Sequence, residues 1–99
     1  MTDLYFFDPN SSAEVRRELD EFADRAALII GQVFHRPYDV QQAFRQWFQD
    51  LIREYDNPAS LLHEDPLVIA ADYSGIDAGA AMTGAMGREY EQLARKNRW

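Results

Sequence analysis

The sequence predicts an all-α domain: one compact, four-helix bundle-like unit spanning residues 1–99, with a short N-terminal extended arm and an extra one-turn helix. Three observations carry that expectation. Val15, Leu19, Phe22, Ala26, Ile29 and Val33 recur at three or four residues, which puts them on one helical face. Val40, Ala43, Phe44, Trp47, Phe48, Leu51, Ile52 and Tyr55 alternate by three and one without a miss. Asn57-Pro58 and Asp65-Pro66 are both cap-then-proline pairs, and proline's missing N–H costs nothing at the first helical position. These signals place an arm over 1–10, a first helix over 11–35, a second over 39–55, a short turn over 58–63, a third helix over 66–74 and a fourth over 79–96.

The arm is apolar and aromatic at Leu4-Tyr5-Phe6-Phe7, and Asp8-Pro9-Asn10-Ser11 stops it with strong turn chemistry. Such an arm either covers its own domain or offers Tyr5, Phe6 and Phe7 as anchors to a partner or a second subunit. The first helix opens on Ser11 with Glu14 at capping-box spacing. Its halves differ. Residues 14–25 hold eight charged side chains, whereas 26–34 hold Gln32 as their one polar side chain, with Leu28 and Ile30 off the main stripe. A helix apolar on most sides is covered on most sides. That second half is therefore the centre of the bundle or part of a subunit interface, and Pro37 disfavours helix at Arg36.

In the second helix Asp39 and Gln42 have capping-box spacing, and the face opposite the apolar stripe is glutamine-rich (Gln41, Gln42, Gln46, Gln49) and reads as solvated. Gly75 is placed to end the third helix. Residues 78–87 read Ala-Gly-Ala-Ala-Met-Thr-Gly-Ala-Met-Gly; each glycine weakens a helix by about 1 kcal/mol against alanine. Met82, Met86, Tyr90 and Leu93 nevertheless keep helical spacing, so a weak helix and a mobile loop compete there. The expected core is Val15, Leu19, Phe22, Ile29, Ile30, Val33, Phe44, Trp47, Phe48, Leu51, Leu67, Ile69 and Met86.

Composition excludes several kinds of chemistry. The chain has no cysteine, so disulfide frameworks, thiolate metal sites and cysteine nucleophiles are ruled out. Apolar runs such as Ala26-Ala27-Leu28-Ile29-Ile30 fall far short of the roughly 20 residues that span a bilayer. With Asp3 and no basic residue at the start, no leader is visible, and a cytoplasmic protein is expected. No Gly-x-Ser-x-Gly elbow occurs, and no glycine-rich phosphate loop with a nearby lysine; no cofactor is expected. Asp72-Tyr73-Ser74-Gly75-Ile76-Asp77 lacks the alternating ligands of a calcium loop. His63, Asp65, Asp72 and Asp77 could gather around a divalent ion for a minor metal-assisted activity, although Asp65 and Asp77 also read as caps.

Residues 67–86 resemble a helix-turn-helix at Ala71, Gly75 and Ile76, which stand where that motif uses a small residue, a turn glycine and a following apolar residue. The resemblance implies a DNA-binding regulator. Its second helix, however, would present Asp77, Gly79, Ala80 and Thr83, which cannot read base edges, within a chain of net charge −7. Acidity suggests mimicry of nucleic acid or docking on a basic partner through Asp20, Glu21, Asp24, Asp50, Glu54 and Asp56. The basic tail, Arg88, Arg95, Lys96 and Arg98, complements the negative end of its helix or an acidic patch on a second copy. The leading expectation is a small acidic, non-enzymatic interaction or regulatory domain that uses an apolar patch (Tyr5, Phe6, Phe7, Leu28, Ile30, Trp99). Its partner would be a second copy in a homodimer, another protein, or both; nucleic acid and membrane are not expected.

Overall fold

The computed structural model describes residues 13–99, which fold into helices with no strand among them. They are α1 (Ala13–Gln32), α2 (Tyr38–Glu54), a 3-10 helix (Pro58–His63), α3 (Pro66–Ser74), α4 (Ala78–Ala81) and α5 (Gly84–Asn97). The all-α expectation holds. The arm with Tyr5, Phe6 and Phe7, and the expected cap Ser11, lie outside the described residues.

α1 stops at Gln32, three residues sooner than expected. The N–H groups of Val33 and Phe34 both reach the Ile29 carbonyl, and that of Arg36 reaches Ile30, so the orphan carbonyls are satisfied by a turn. His35 takes the left-handed conformation (φ 56°) that such a turn requires. The early exit swings Phe34 into the core, where it is 6% exposed. α2 starts one residue sooner than expected. Pro37 is its N-cap, and Asp39 sits in the first turn without capping, so the Asp39/Gln42 box does not form. Asp65 caps α3 by accepting the Leu67 N–H at 2.9 Å, and Gly75 ends it at φ 72°.

The expected fourth helix is two helices. Asp77 caps α4 through the Ala80 N–H at 3.0 Å, but α4 ends after Ala81. The Thr83 hydroxyl then donates back to the Gly79 carbonyl at 3.2 Å, and Gly84 at φ 62° redirects the chain into α5. Weak helix formers and one left-handed glycine thus make a corner where spacing alone suggested continuity.

α1 is the central helix. α2, the 3-10 helix, α3 and α5 each pack on it, and α4 links α3 to α5. Its apolar second half is the centre: Ala26, Ala27, Ile29 and Ile30 are fully buried. α1 and α2 run antiparallel, as expected, which the pairings along them show: Gly31 faces Gln41, Asp24 bonds to Arg45, and Phe22 stacks on Phe48 at 5.5 Å. Alanines Ala26 and Ala27 on α1 and Ala70 and Ala71 on α3 have no exposed surface, so those two backbones approach closely. The core assignments need correction. Trp47 is 36% exposed, Val15, Leu51, Ile69 and Met86 are half-buried, and Leu61, Ala81 and Leu93 join the core instead. Gln41, assigned to a solvated face, is half-buried against Gly31.

Candidate interaction face

Of the residues expected to form an apolar patch, Leu28, Ile30 and Trp99 are among the described residues, and none of them stands free. Ile30 is fully buried in the chain's own core and presents nothing to a partner; Leu28 is half-buried and packs against the same core. Trp99 is not a free anchor either. The α5 terminus closes with Arg98 left-handed and the Trp99 N–H on the Ala94 carbonyl at 2.9 Å, which folds the indole back. There its ring lies 6.4 Å from that of Tyr90, with the Arg25 guanidinium 5.7 Å above it. Burial, reinforced by the negative charge of Asp65 and opposed by Arg25, raises the Tyr90 hydroxyl above the usual tyrosine pKa of 10.0.

The alternative sites fare differently again. Among the described residues no group of three or more His, Asp or Glu side chains is placed to hold a metal ion, so His63, Asp65, Asp72 and Asp77 are not brought together. Asp65 and Asp77 are helix caps. The helix-turn-helix resemblance holds through the turn, since Ala71 is buried and accepts the Ile76 N–H at 2.8 Å. It fails after the turn, because α4 is four residues long and cannot lie along a groove as a reading helix. A groove of about 390 Å³ lies between α1 and the 3-10 helix, floored by Phe22, Leu62 and Pro66 and rimmed by Glu18, Glu21, Glu64 and Arg25. Among the described residues no helix is long and apolar enough to cross a membrane.

The surface that stands out is on α2. At about 100° per residue, its apolar side chains from Ala43 round to Ile52 occupy roughly 180° of the circumference. α1 covers the part that carries Phe44 and Phe48, both fully buried. What remains is a strip of roughly 80° holding Val40, Ala43, Trp47, Leu51 and Glu54. Ala43 and Trp47 are exposed, and Val40 and Leu51 are half-buried. Tyr73 of α3 closes one edge, 5.1 Å from the Trp47 ring and 5.3 Å from Phe44, so the indole rests on an aromatic layer with its outer part open. The layer fixes the orientation of Trp47 before anything binds. Sequence reasoning missed this face because its apolar spacing merges with the core stripe of the same helix. The signal that marks it is the width of that stripe, wider than the 100° or so one neighbouring helix covers.

No family model, curated protein or solved structure matches this sequence.

Proposed function

We propose that this chain is a small acidic, non-enzymatic interaction or regulatory domain that engages a protein partner through the α2 face centred on Trp47. The observation that carries the reading is the 36% exposure of a large, pre-oriented indole amid Val40, Ala43 and Leu51. Tryptophan is the side chain most often found at the energetic centre of protein interfaces, and orienting it beforehand lowers the entropy lost on binding. A cytoplasmic setting belongs to the same proposal; a chain with no cysteine carries no disulfide that needs an oxidising compartment.

Trp47→Arg tests it. The substitution falls on a partly exposed position, so helical content should be unchanged. A tagged wild-type chain should retain a stoichiometric protein, either another copy or a different chain, and the variant should lose it. Equal retention by both would refute the reading.

A further inference from the structure

The groove between α1 and the 3-10 helix combines an apolar floor with uncompensated negative charge. We propose that it docks a basic segment of a partner protein, in which one apolar side chain lies between two lysines or arginines. None of the lining residues belongs to α2, so this surface is separate from the Trp47 face. Phe22, Leu62 and Pro66 form the floor of a space of about 390 Å³. Glu18 and Glu21 stand on the α1 wall, about 4.5 Å apart along the axis at 1.5 Å per residue. Glu64 stands on the other wall, where it caps the 3-10 helix.

Arg25 is the one cation on this rim. It follows Glu21 by four residues, a spacing at which the two would pair along α1. The guanidinium is instead turned to the Trp99 ring, 5.7 Å from its centroid. Among the described residues the ion pairs are His35–Glu89, Arg45–Asp24 and Arg53–Asp50, so Glu18, Glu21 and Glu64 have no cation beside them. The folded-back C-terminus thus holds Arg25 away from the carboxylate it would otherwise neutralise.

Charge and floor together specify the occupant. Among the described residues no three His, Asp or Glu side chains are placed to hold a metal ion, and a small hydrated cation gains nothing from the apolar floor. Lysine and arginine use both surfaces, laying methylene stems along apolar atoms while the charged head stays at the wet rim. An apolar residue between two of them fills the floor that neither stem reaches. An acidic rim in a chain of net charge −7 also steers a basic segment toward the groove.

The probe is the capped peptide Gly-Lys-Leu-Lys-Gly, titrated into the full chain at low salt and followed by backbone amide shifts. Shifts should gather on α1 around Phe22 and on residues 61–66. They should fade as salt rises from about 0.02 M to about 0.5 M and the Debye length falls from roughly 20 Å to roughly 4 Å. Glu21→Gln should weaken binding roughly two- to fivefold, and the triple variant Glu18→Gln, Glu21→Gln, Glu64→Gln roughly tenfold or more. Arg25→Gln removes a like charge and should strengthen binding about twofold. All four positions are exposed, so helical circular dichroism should not change. Gly-Lys-Gly-Lys-Gly should bind clearly more weakly, and equal binding would reduce the groove to general acidity and overturn the proposal. No shift in the groove, or a triple variant that binds as well as wild type, would overturn it too. A wild-type chain that self-associates at low salt and is dissociated by Lys96→Glu would assign the groove to the basic tail of a second copy instead.

Discussion

Replacing Gly87 by alanine should destabilise this domain even though alanine is the better helix former. Gly87 lies in the first turn of α5, buried against the corner that leads out of α4. A Cβ there would stand 2.6 Å from the Met82 carbonyl oxygen and 2.8 Å from its carbon. Comfortable separations are about 3.5 Å, so the corner has to open by nearly 1 Å, and the obstacle is backbone that no rotamer change can move. Overpacking of that kind costs about 1–3 kcal/mol, against a helix-propensity gain of about 1 kcal/mol. The net expectation is a loss near 1 kcal/mol, or a Tm lower by about 4–8 °C in a domain of this size. Gly31→Ala supplies the contrast. The nearest atoms its Cβ would meet all belong to the end of the Gln41 side chain, with Cδ at 2.7 Å, and that end can swing into solvent. The propensity gain then survives, and stability should rise by up to about 1 kcal/mol. Urea titrations followed by helical circular dichroism read both variants. A Gly87→Ala protein as stable as wild type would refute the close-packed corner, and a Gly31→Ala protein that loses more than Gly87→Ala would refute the distinction between backbone and side-chain obstacles.

Three other outcomes follow from the same geometry. Asp65→Ala should lower stability by about 0.5–2 kcal/mol, because the Leu67 N–H loses its acceptor, and Asp65→Asn should retain most of it in the same urea titration. Gly84→Ala should cost about 1–2 kcal/mol purely through its backbone, since φ is 62° and nothing lies within 4 Å of the added carbon; Gly84→Asn should recover part of that loss in a thermal scan. Tyr90 holds its proton more tightly folded than unfolded, so its contribution is complete below pH 10.0 and is lost as pH rises through 10.0 and past the folded value. Tyr90→Phe cannot titrate, so urea midpoints between about pH 9 and 11 should fall less steeply for the variant; parallel curves would contradict the assignment.

Local rules were legible wherever one residue type settles a backbone question. Asp65, Asp77 and Gly75 do in the structure what their positions in the sequence announce, because a cap or a left-handed residue acts within four residues of itself. The same reasoning went astray where two signals compete. Asp39 yields the cap position to Pro37, whose fixed φ suits the residue that enters the helix, and the run from 79 to 96 breaks because Gly84 turns left-handed where Met82 and Met86 kept helical spacing. Trp47 illustrates a different limit. Periodicity shows that it lies near the apolar side of its helix, but burial depends on how many neighbours that helix has, and this is decided by the packing of α1 and α3, distant in sequence. The apolar arm at Tyr5, Phe6 and Phe7 stays an expectation of the sequence.

The contrast between α1 and α2 explains where the candidate face lies. Both helices carry more apolar surface than one neighbour can cover. α1 resolves the surplus internally: the 3-10 helix, α2, α3 and α5 surround it, and Ile30, off the main stripe, is fully buried. α2 stands at the edge, with α1 on one side and the Tyr73 ring on another, so its surplus faces outward. From α3, Tyr73 reaches that edge and already touches Trp47 and Phe44. A Trp47→Ser change should therefore cost the isolated chain clearly less stability than Phe48→Ala while weakening association, because Phe48 is fully buried and its truncation should cost about 3–5 kcal/mol and unfold the domain before association can be read. Equal destabilisation by the two would show that Trp47 is a core residue after all, and the face would lose its basis.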